Sequence, residues 1–146
     1  MVHVWSAVLD RPSDPAADLA LLDPDERSRA GRFRFERDRG RYVARHAFYR
    51  RVLANRLGIT PATVVIRTTA EGRPALVTTD ALDFNTSHAD GLAVIALSHG
   101  RRVGVDVERM RHIEDAQALA EAHRRTGSWM PSARYRRPRS RAILAV

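Results

Sequence analysis

Three short segments with a strand-like pattern between residues 84 and 108 constrain the fold of this chain more than any other feature. Phe84–His88, Leu92–Leu97 and Val103–Glu108 each have the length and composition of a β-strand. The last two are separated only by residues 98–102, a link of hairpin size. Because a long helical pattern precedes them, the sequence predicts an α+β fold, a mostly antiparallel sheet with one long helix packed on it.

That long helix is predicted over residues 37–57 and ends at Gly58. Apolar and aromatic side chains recur in it at spacings of three and four, which predicts a buried face made of Tyr42, His46, Tyr49, Leu53 and Leu57. Asp23 and Pro24 begin another helix, expected to reach about Phe35. The remaining predictions are a strand at 3–9, a loop at 11–16, a strand at 64–67, a turn at 71–74 and a helix at 113–122.

Composition excludes several classes of protein. The 146 residues include no cysteine, which rules out disulfide scaffolds, cysteine-ligated metals and thiol nucleophiles. No run of 18 apolar residues suggests a membrane span, and residues 1–5 do not resemble a secretory signal. A cytoplasmic protein with no membrane partner is therefore expected.

The net charge of +8 is concentrated near the end of the chain. Residues 122–146 hold seven arginines and no acidic residue, whereas residues 1–121 hold 18 arginines against 17 acids. Because the body is nearly neutral, specific nucleic-acid binding is not expected, although the tail could bind polyanions nonspecifically. The sequence predicts a folded unit over 1–121 and a disordered Arg/Pro-rich tail over 122–146.

Alternation in residues 103–108 indicates a metal site. Strand periodicity places the three valines on one face and Gly104, Asp106 and Glu108 on the other. The two carboxylates stand about 7 Å apart at the backbone and can converge on one hard cation such as Mg²⁺. The alternative is an edge strand with a solvated acidic face.

Two further segments offer contacts for anions. Ser87 and His88 end a strand, and the hydroxyl and the imidazole can both donate hydrogen bonds to phosphate. Because adjacent strand residues face opposite ways, Ser87 and His88 are not expected to act as a nucleophile and its base. Arginine, whose planar fork suits phosphate, recurs along one helical face and at the turn that carries Arg73. The alternatives are local turn bonding and a solvated helical face. The helical arginines are Arg34, Arg37, Arg41 and Arg45.

Taken in order, these motifs resemble the Sfp-type 4′-phosphopantetheinyl transferases. The resemblance covers about residues 1–120, and the Asp23 helix start and the segment Val8–Pro12 are similar too. It is carried by Arg41-Tyr42, Gly72-Arg73-Pro74, Phe84-Asn85-Thr86-Ser87-His88 and Gly104-Val105-Asp106-Val107-Glu108. The resemblance implies the N-terminal half-domain of such an enzyme.

The implied reaction moves phosphopantetheine from coenzyme A to a serine of an acyl or peptidyl carrier protein, with Mg²⁺. The resemblance implies that Asp106 and Glu108 hold the metal and that His88 contacts the pyrophosphate. It implies that all three are catalytic residues. It places Asn85 and Ser87 in the nucleotide pocket. Arg41 and the Gly72–Arg73 turn would grip the adenine nucleotide and its 3′-phosphate.

The sequence departs from that family after about residue 121. The family's second half brings a helix with a metal-binding Glu and a Lys that serves as base, but this sequence contains no lysine at all. We therefore expect the chain to be weakly active or inactive. We also expect that residues from about 122 onward are translated out of frame, and a search of the alternative reading frames of the coding DNA for the missing helix would test this. The exposed flank where the family's second half would dock predicts self-association through that interface. The alternative function is a non-catalytic remnant that binds coenzyme A or a nucleotide.

Overall fold

A computed structural model describes residues 1–11, 13–78 and 81–109, together with the backbone of 133–134 and 142–144. Three consecutive helices follow the first strand and are combined with short antiparallel sheets, which confirms the predicted α+β class. The helices are α1 (Pro15–Leu21), α2 (Pro24–Ala30) and α3 (Glu36–Leu57), with a 3₁₀ turn at Pro61–Thr63. The strands are β1 (Val2–Val8), β2 (Ile66–Thr68), β3 (Pro74–Leu76), β4 (Leu82–Ala89), β5 (Leu92–His99), β6 (Asp106–Val107), β7 (Ala133–Arg134) and β8 (Ala142–Leu144).

The main sheet has the strand order β1–β5–β4, and both pairings are antiparallel. Because β5 lies between two strands, its residues from Ala93 to Ser98 are all buried. β2 and β3 form a separate two-stranded ribbon, and β6, β8 and β7 form a third sheet in that order. The main sheet therefore has two faces to cover, and a different part of the chain covers each.

Helix α3 covers the first face. Tyr49 and Leu53 pack against Phe84 of β4 and against Ile95 and Leu97 of β5. Gly58 ends the helix in the left-handed conformation, with φ of 68°, which a glycine adopts without steric cost. The predicted long helix is thus confirmed, and its apolar face fixes it on the sheet.

Residues 103–107 cover the second face. Val103, Val105 and Val107 are buried against Val94 and Ala96 of β5. Gly104, Asp106 and Glu108 are exposed, which is the alternation that the sequence predicts. The acidic side chains consequently point away from the sheet.

Several predicted elements differ from the structure. The loop predicted at 11–16 contains the start of α1, because Asp14 caps that helix by accepting hydrogen bonds from two backbone N–H groups. The helix predicted to reach Phe35 ends at Ala30, since the chain turns there into α3. β3 was not predicted. The sequence predicts a strand at 64–67, whereas β2 lies at Ile66–Thr68.

The predicted hairpin between the last two strands is also wrong. β5 pairs with β1 and β4, whereas β6 is only two residues long and pairs with β8. Residues 103–107 cross the face of the main sheet instead of extending its edge. The helix predicted at 113–122 lies outside the described residues, as does most of the tail at 122–146, so the predicted division of the chain stays a prediction.

Candidate functional site

A cleft of about 660 Å³ opens between α2, α3, β4 and the β2–β3 ribbon. Its walls combine basic, acidic and aromatic side chains. The basic ones are Arg29, Arg45, His46, Arg67 and His88. The acidic ones are Asp23, Asp25 and Glu26, and the aromatic ones are Tyr42, Tyr49 and Phe84. Whether this cleft can accept an anion depends on how the acids are already paired.

Glu26 is paired within the protein and joins α2 to α3. Its Oε2 accepts hydrogen bonds from the Asp23 N–H at 2.9 Å and from Arg50 Nε at 2.8 Å, and Oε1 lies 2.8 Å from His46 Nδ1. In return, the Asp23 carboxylate accepts the Glu26 N–H at 2.8 Å, which completes a capping box at the start of α2. Arg50 is only 1% exposed, so the network joins the cleft wall to a buried guanidinium.

The same network keeps Glu26 ionised. Burial raises its pKa, but hydrogen bonds from His46, from the Asp23 N–H and from Arg50 outweigh burial and hold the pKa at about 2. The buried guanidinium of Arg50 also donates to Asp23 Oδ2 at 2.8 Å and to the Val64 carbonyl at 2.7 Å. Because Asp23 and Glu26 share the Arg50 cation, the charged side chains of the lining outside this network are Arg29, Arg45, Arg67 and the single acid Asp25.

Tyr42 and His46 form one wall of the cleft. Their ring centroids are 4.2 Å apart, and the Arg45 guanidinium carbon lies 5.4 Å from the centroid of the Tyr42 ring. The sequence predicts His46 in the core, but its side chain is 24% exposed on the cleft wall. The Tyr42 hydroxyl is buried and has no hydrogen-bond partner in the described part of the chain. This wall thus combines the Arg45 cation with the buried Tyr42 hydroxyl, which has no partner among the described residues.

His88 lies at the end of β4 on the side of the sheet that faces α3. Alternation along β4 places Phe84, Thr86 and His88 on this face, and all three line the cleft. The protein atoms around the imidazole, and then the nearby charges of Arg45 and His46, lower the pKa of His88. Bringing a negative charge into the cleft would have the opposite effect on that pKa.

Asn85 and Ser87 lie on the other face of β4. Cross-strand pairing sets them beside Ala96 and Val94 of β5, the residues that contact the valines of the segment 103–107. The Ser87 hydroxyl donates to Asp106 Oδ1 at 2.8 Å. Asp106 is therefore attached to the same end of β4 that carries His88, on the opposite face of the strand.

Two of the predicted anion-binding arginines, Arg41 and Arg73, already have carboxylate partners, whereas Arg45 lines the cleft. Arg41 makes a bidentate ion pair with Asp10, with Nε and Nη2 at 2.7 and 2.6 Å from the two carboxylate oxygens. It lines a second cleft, between α1 and α3, and not the one beside His88. Arg73, in the turn where Gly72 has φ of 79°, donates to Asp83 at 2.7 Å.

Comparison with known proteins places the chain in a family. Residues 10–100 match the family model described as 4′-phosphopantetheinyl transferase, N-terminal. That range includes every residue that lines the cleft beside His88. The chain belongs to the 4′-phosphopantetheinyl transferase family. The resemblance drawn from its motifs is thereby confirmed.

Individual phosphopantetheinyl transferases support this placement. The 4′-phosphopantetheinyl transferase HetI of Nostoc sp. is 36% identical over 124 residues, which are 82% of this chain and 52% of that protein. The phosphopantetheinyl transferase of Thraustochytrium sp. is 34% identical over 104 residues, 70% of this chain and 36% of that protein. The human L-aminoadipate-semialdehyde dehydrogenase-phosphopantetheinyl transferase is 31% identical over 91 residues, 59% of this chain and 29% of that protein. The chain thus spans about half, or less, of the length of these phosphopantetheinyl transferases.

Sequence reasoning missed part of the cleft. Arg29, Arg67 and Tyr42 line it, yet none was predicted as a site residue. Arg29 lies on the helix that begins at Asp23, so the arginines that follow this helix start were a signal that could have indicated it. Arg67 offers no such local signal, because β2 reaches the cleft only through the fold. Tyr42 was predicted as a core residue, and it is both buried and part of the wall.

Asp106 and Glu108, the predicted metal ligands, are both exposed. No group of three or more His, Cys, Asp or Glu side chains among those residues could hold a metal ion. None of the described helices has the length and the apolar character needed to cross a membrane.

Proposed function

We propose that this chain forms the nucleotide-binding half of a 4′-phosphopantetheinyl transferase, with coenzyme A as substrate and an acyl or peptidyl carrier protein as acceptor. Family membership supports the reaction class. One observation carries the assignment of the site: the end of β4 joins the basic cleft on one face, through His88, to the acidic segment on the other, through Ser87 and Asp106.

The cleft suits the adenosine 3′,5′-diphosphate part of coenzyme A. Guanidinium groups such as Arg29 and Arg45 bind phosphate through paired N–H donors, and partial burial strengthens such contacts. Desolvation lowers the pKa of Arg45, which nevertheless remains a cation at neutral pH because its ordinary pKa is 12.5. The rings of Tyr42 and Tyr49 add apolar wall area for a nucleoside. The guanidinium groups would therefore bind the phosphates, and the aromatic rings would contact the nucleoside.

The proposed transfer is a displacement at phosphorus. The carrier serine oxygen forms a bond to the β-phosphorus of coenzyme A, the bond from that phosphorus to the bridging oxygen breaks, and adenosine 3′,5′-diphosphate leaves with the electron pair. The serine proton passes to a base. A lysine performs that task in the family that the motifs resemble, and this sequence contains none. His88 would donate to the pyrophosphate and stabilise its charge.

Asp106 and Glu108 would hold Mg²⁺. Both carboxylates are exposed on one side of their segment, and hard oxygen donors of this kind are what Mg²⁺ binds. When bound, the ion would neutralise charge on the diphosphate. Two protein carboxylates leave several coordination positions, which water and phosphate oxygens commonly fill.

A non-catalytic remnant that binds coenzyme A or a nucleotide is the second candidate. It is favoured by the absence of lysine and by the lack of a third metal-ligating side chain among the described residues. Both candidates predict nucleotide binding, and they differ only in whether the phosphopantetheine arm moves. We expect weak transfer or none from these 146 residues.

Binding and transfer are measured separately to decide between them. Calorimetry with adenosine 3′,5′-diphosphate should show binding that weakens in Arg45→Gln, whereas Arg56→Gln, at an exposed arginine in the last turn of the same helix, serves as matched control. Labelled coenzyme A with an apo carrier protein, with Asp106→Ala as control, then detects transfer. Absence of nucleotide binding would refute both candidates. Rapid transfer would contradict the expected inactivity, and binding without any transfer would favour the remnant.

Self-association is a separate proposal. β1 is an edge strand of the main sheet and exposes Val4, Trp5 and Val8 at 40%, 38% and 54%. Apolar edge strands tend to pair with another chain. Sedimentation velocity should detect a dimer that Val4→Lys disperses, and a monomer at all concentrations would contradict the proposal.

A further inference from the structure

Side chains of β4 accept the backbone N–H groups of every second residue in the segment 103–107. Asp83 Oδ2 accepts the Val103 N–H at 2.7 Å, and Asn85 Oδ1 accepts the Val105 N–H at 3.3 Å. Ser87 Oγ accepts the Val107 N–H at 3.1 Å. Each acceptor precedes its donor by 20 residues, so the segment runs parallel to β4 across the face of the sheet.

These three contacts are a stable way to hold a segment of which only Asp106 and Val107 pair with another strand. Buried backbone N–H groups need acceptors, and here every second residue of β4 supplies one. The valines pack against Val94 and Ala96 at the same time, which removes apolar surface from water. The segment is therefore fixed both by hydrogen bonds and by packing.

Arg73 reinforces the first of these three contacts, the one between Asp83 and Val103. Its Nη2 donates to Asp83 Oδ2 at 2.7 Å and to the Val103 carbonyl at 2.6 Å. Since Asp83 also accepts the Val103 N–H, the ion pair engages both polar backbone groups of Val103. Arg73 thus anchors the beginning of the acidic segment in this structure.

Ser87 makes the last of these contacts, the one with Val107, and also bonds directly to the Asp106 carboxylate. Its hydroxyl accepts the Val107 N–H and donates to Asp106 Oδ1, and Oδ1 also accepts the Val107 N–H at 2.9 Å. The serine hydroxyl and the Val107 N–H together therefore hold one carboxylate oxygen in place. Among the described residues, Oδ2 of Asp106 receives no hydrogen bond and remains available to a cation.

We propose that Ser87 is a positioning residue whose hydroxyl orients the Asp106 carboxylate for a divalent cation, on an acidic segment that the side chains of β4 hold in place. This inference rests on the proposed function, because it takes Asp106 as a metal ligand. It gives Ser87 a role toward the metal site, whereas its motif suggests a contact with the nucleotide. Partners of this kind typically change metal affinity 10–100-fold.

The test measures Mn²⁺ affinity of the 146-residue chain by electron paramagnetic resonance. We expect Ser87→Ala to weaken Mn²⁺ binding about 10–100-fold and Ser87→Thr, which keeps a hydroxyl, to retain most of it. Ser6→Ala is the matched control, because Ser6 is an exposed serine of β1 on the same sheet face. Hydrogen exchange at the Val103 and Val105 amides reports whether the segment stays in place.

Each outcome decides the matter. Weaker binding in Ser87→Ala with both amides still protected supports positioning. Loss of protection at both amides would mean that Ser87 only holds the segment, and this would overturn the proposal. Unchanged affinity in Ser87→Ala, with binding lost in Asp106→Ala, would overturn it while leaving the metal site intact. If Asp106→Ala binds Mn²⁺ as well as the unaltered chain, or if that chain binds none, the metal site and this inference both fail.

Discussion

The Tyr42 hydroxyl is buried without a hydrogen-bond partner in the described part of the chain, whereas the Tyr49 hydroxyl donates to the Ser87 carbonyl at 3.2 Å. An unsatisfied buried polar group costs about 1–3 kcal/mol. Tyr42→Phe should therefore raise the free energy of unfolding by about 1 kcal/mol, and Tyr49→Phe should lower it by a similar amount. Urea unfolding of the two variants checks this, and an equal loss of stability in both would contradict it.

His88 should make nucleotide binding depend on pH. Its pKa lies below the ordinary 6.5, and a bound phosphate favours the protonated ring. Affinity for adenosine 3′,5′-diphosphate should therefore rise as the pH falls from 7 to 5. His88→Gln should lose that rise and keep only the dependence due to the phosphate itself. Calorimetry at several pH values measures both profiles, and parallel profiles would show that His88 does not contact the anion.

Individual residues show what a local pattern can predict. The burial of Val103, Val105 and Val107 was predictable because side chains alternate in any extended segment. The partners of Arg73 and Ser87 were not, because they depend on which sheet face residues 103–107 cross. That crossing is set by packing between distant parts of the chain, and no local pattern records it.

At the scale of elements, Glu26 ties α2 to α3 and should make stability depend on acid. Its pKa is about 2 in the folded chain against an ordinary 4.5, so the ionised form stabilises the fold above pH 4.5. That contribution, about 3 kcal/mol, is lost as the pH falls from 4.5 toward 2. Glu26→Gln should therefore be less stable at pH 6, with a smaller difference at pH 3. Urea unfolding at both values checks this, and a constant difference would contradict it.

Length explains which elements the sequence revealed. α3 runs for 22 residues with a sustained apolar period, so its position was predictable. α1 has seven residues, which is too short for a period to emerge, although Asp14-Pro15 repeats the start signal of Asp23-Pro24. β6 is short because Val103 and Val105 bond to side chains of β4, so that only Asp106 and Val107 pair with a neighbouring strand.

At the scale of the whole molecule, nucleotide binding should stabilise the fold. The cleft draws its walls from α2, α3, β4 and the β2–β3 ribbon, which come together only in the folded chain. A ligand at 100 times its dissociation constant stabilises by about 2.7 kcal/mol, which for a chain of this size raises Tm by roughly 5–10 °C. Scanning calorimetry with adenosine 3′,5′-diphosphate should show that rise, and adenosine alone should not, because the basic side chains bind the phosphates. An equal rise with adenosine would mean that the aromatic wall, and not the charge of Arg29, Arg45 and Arg67, selects the ligand.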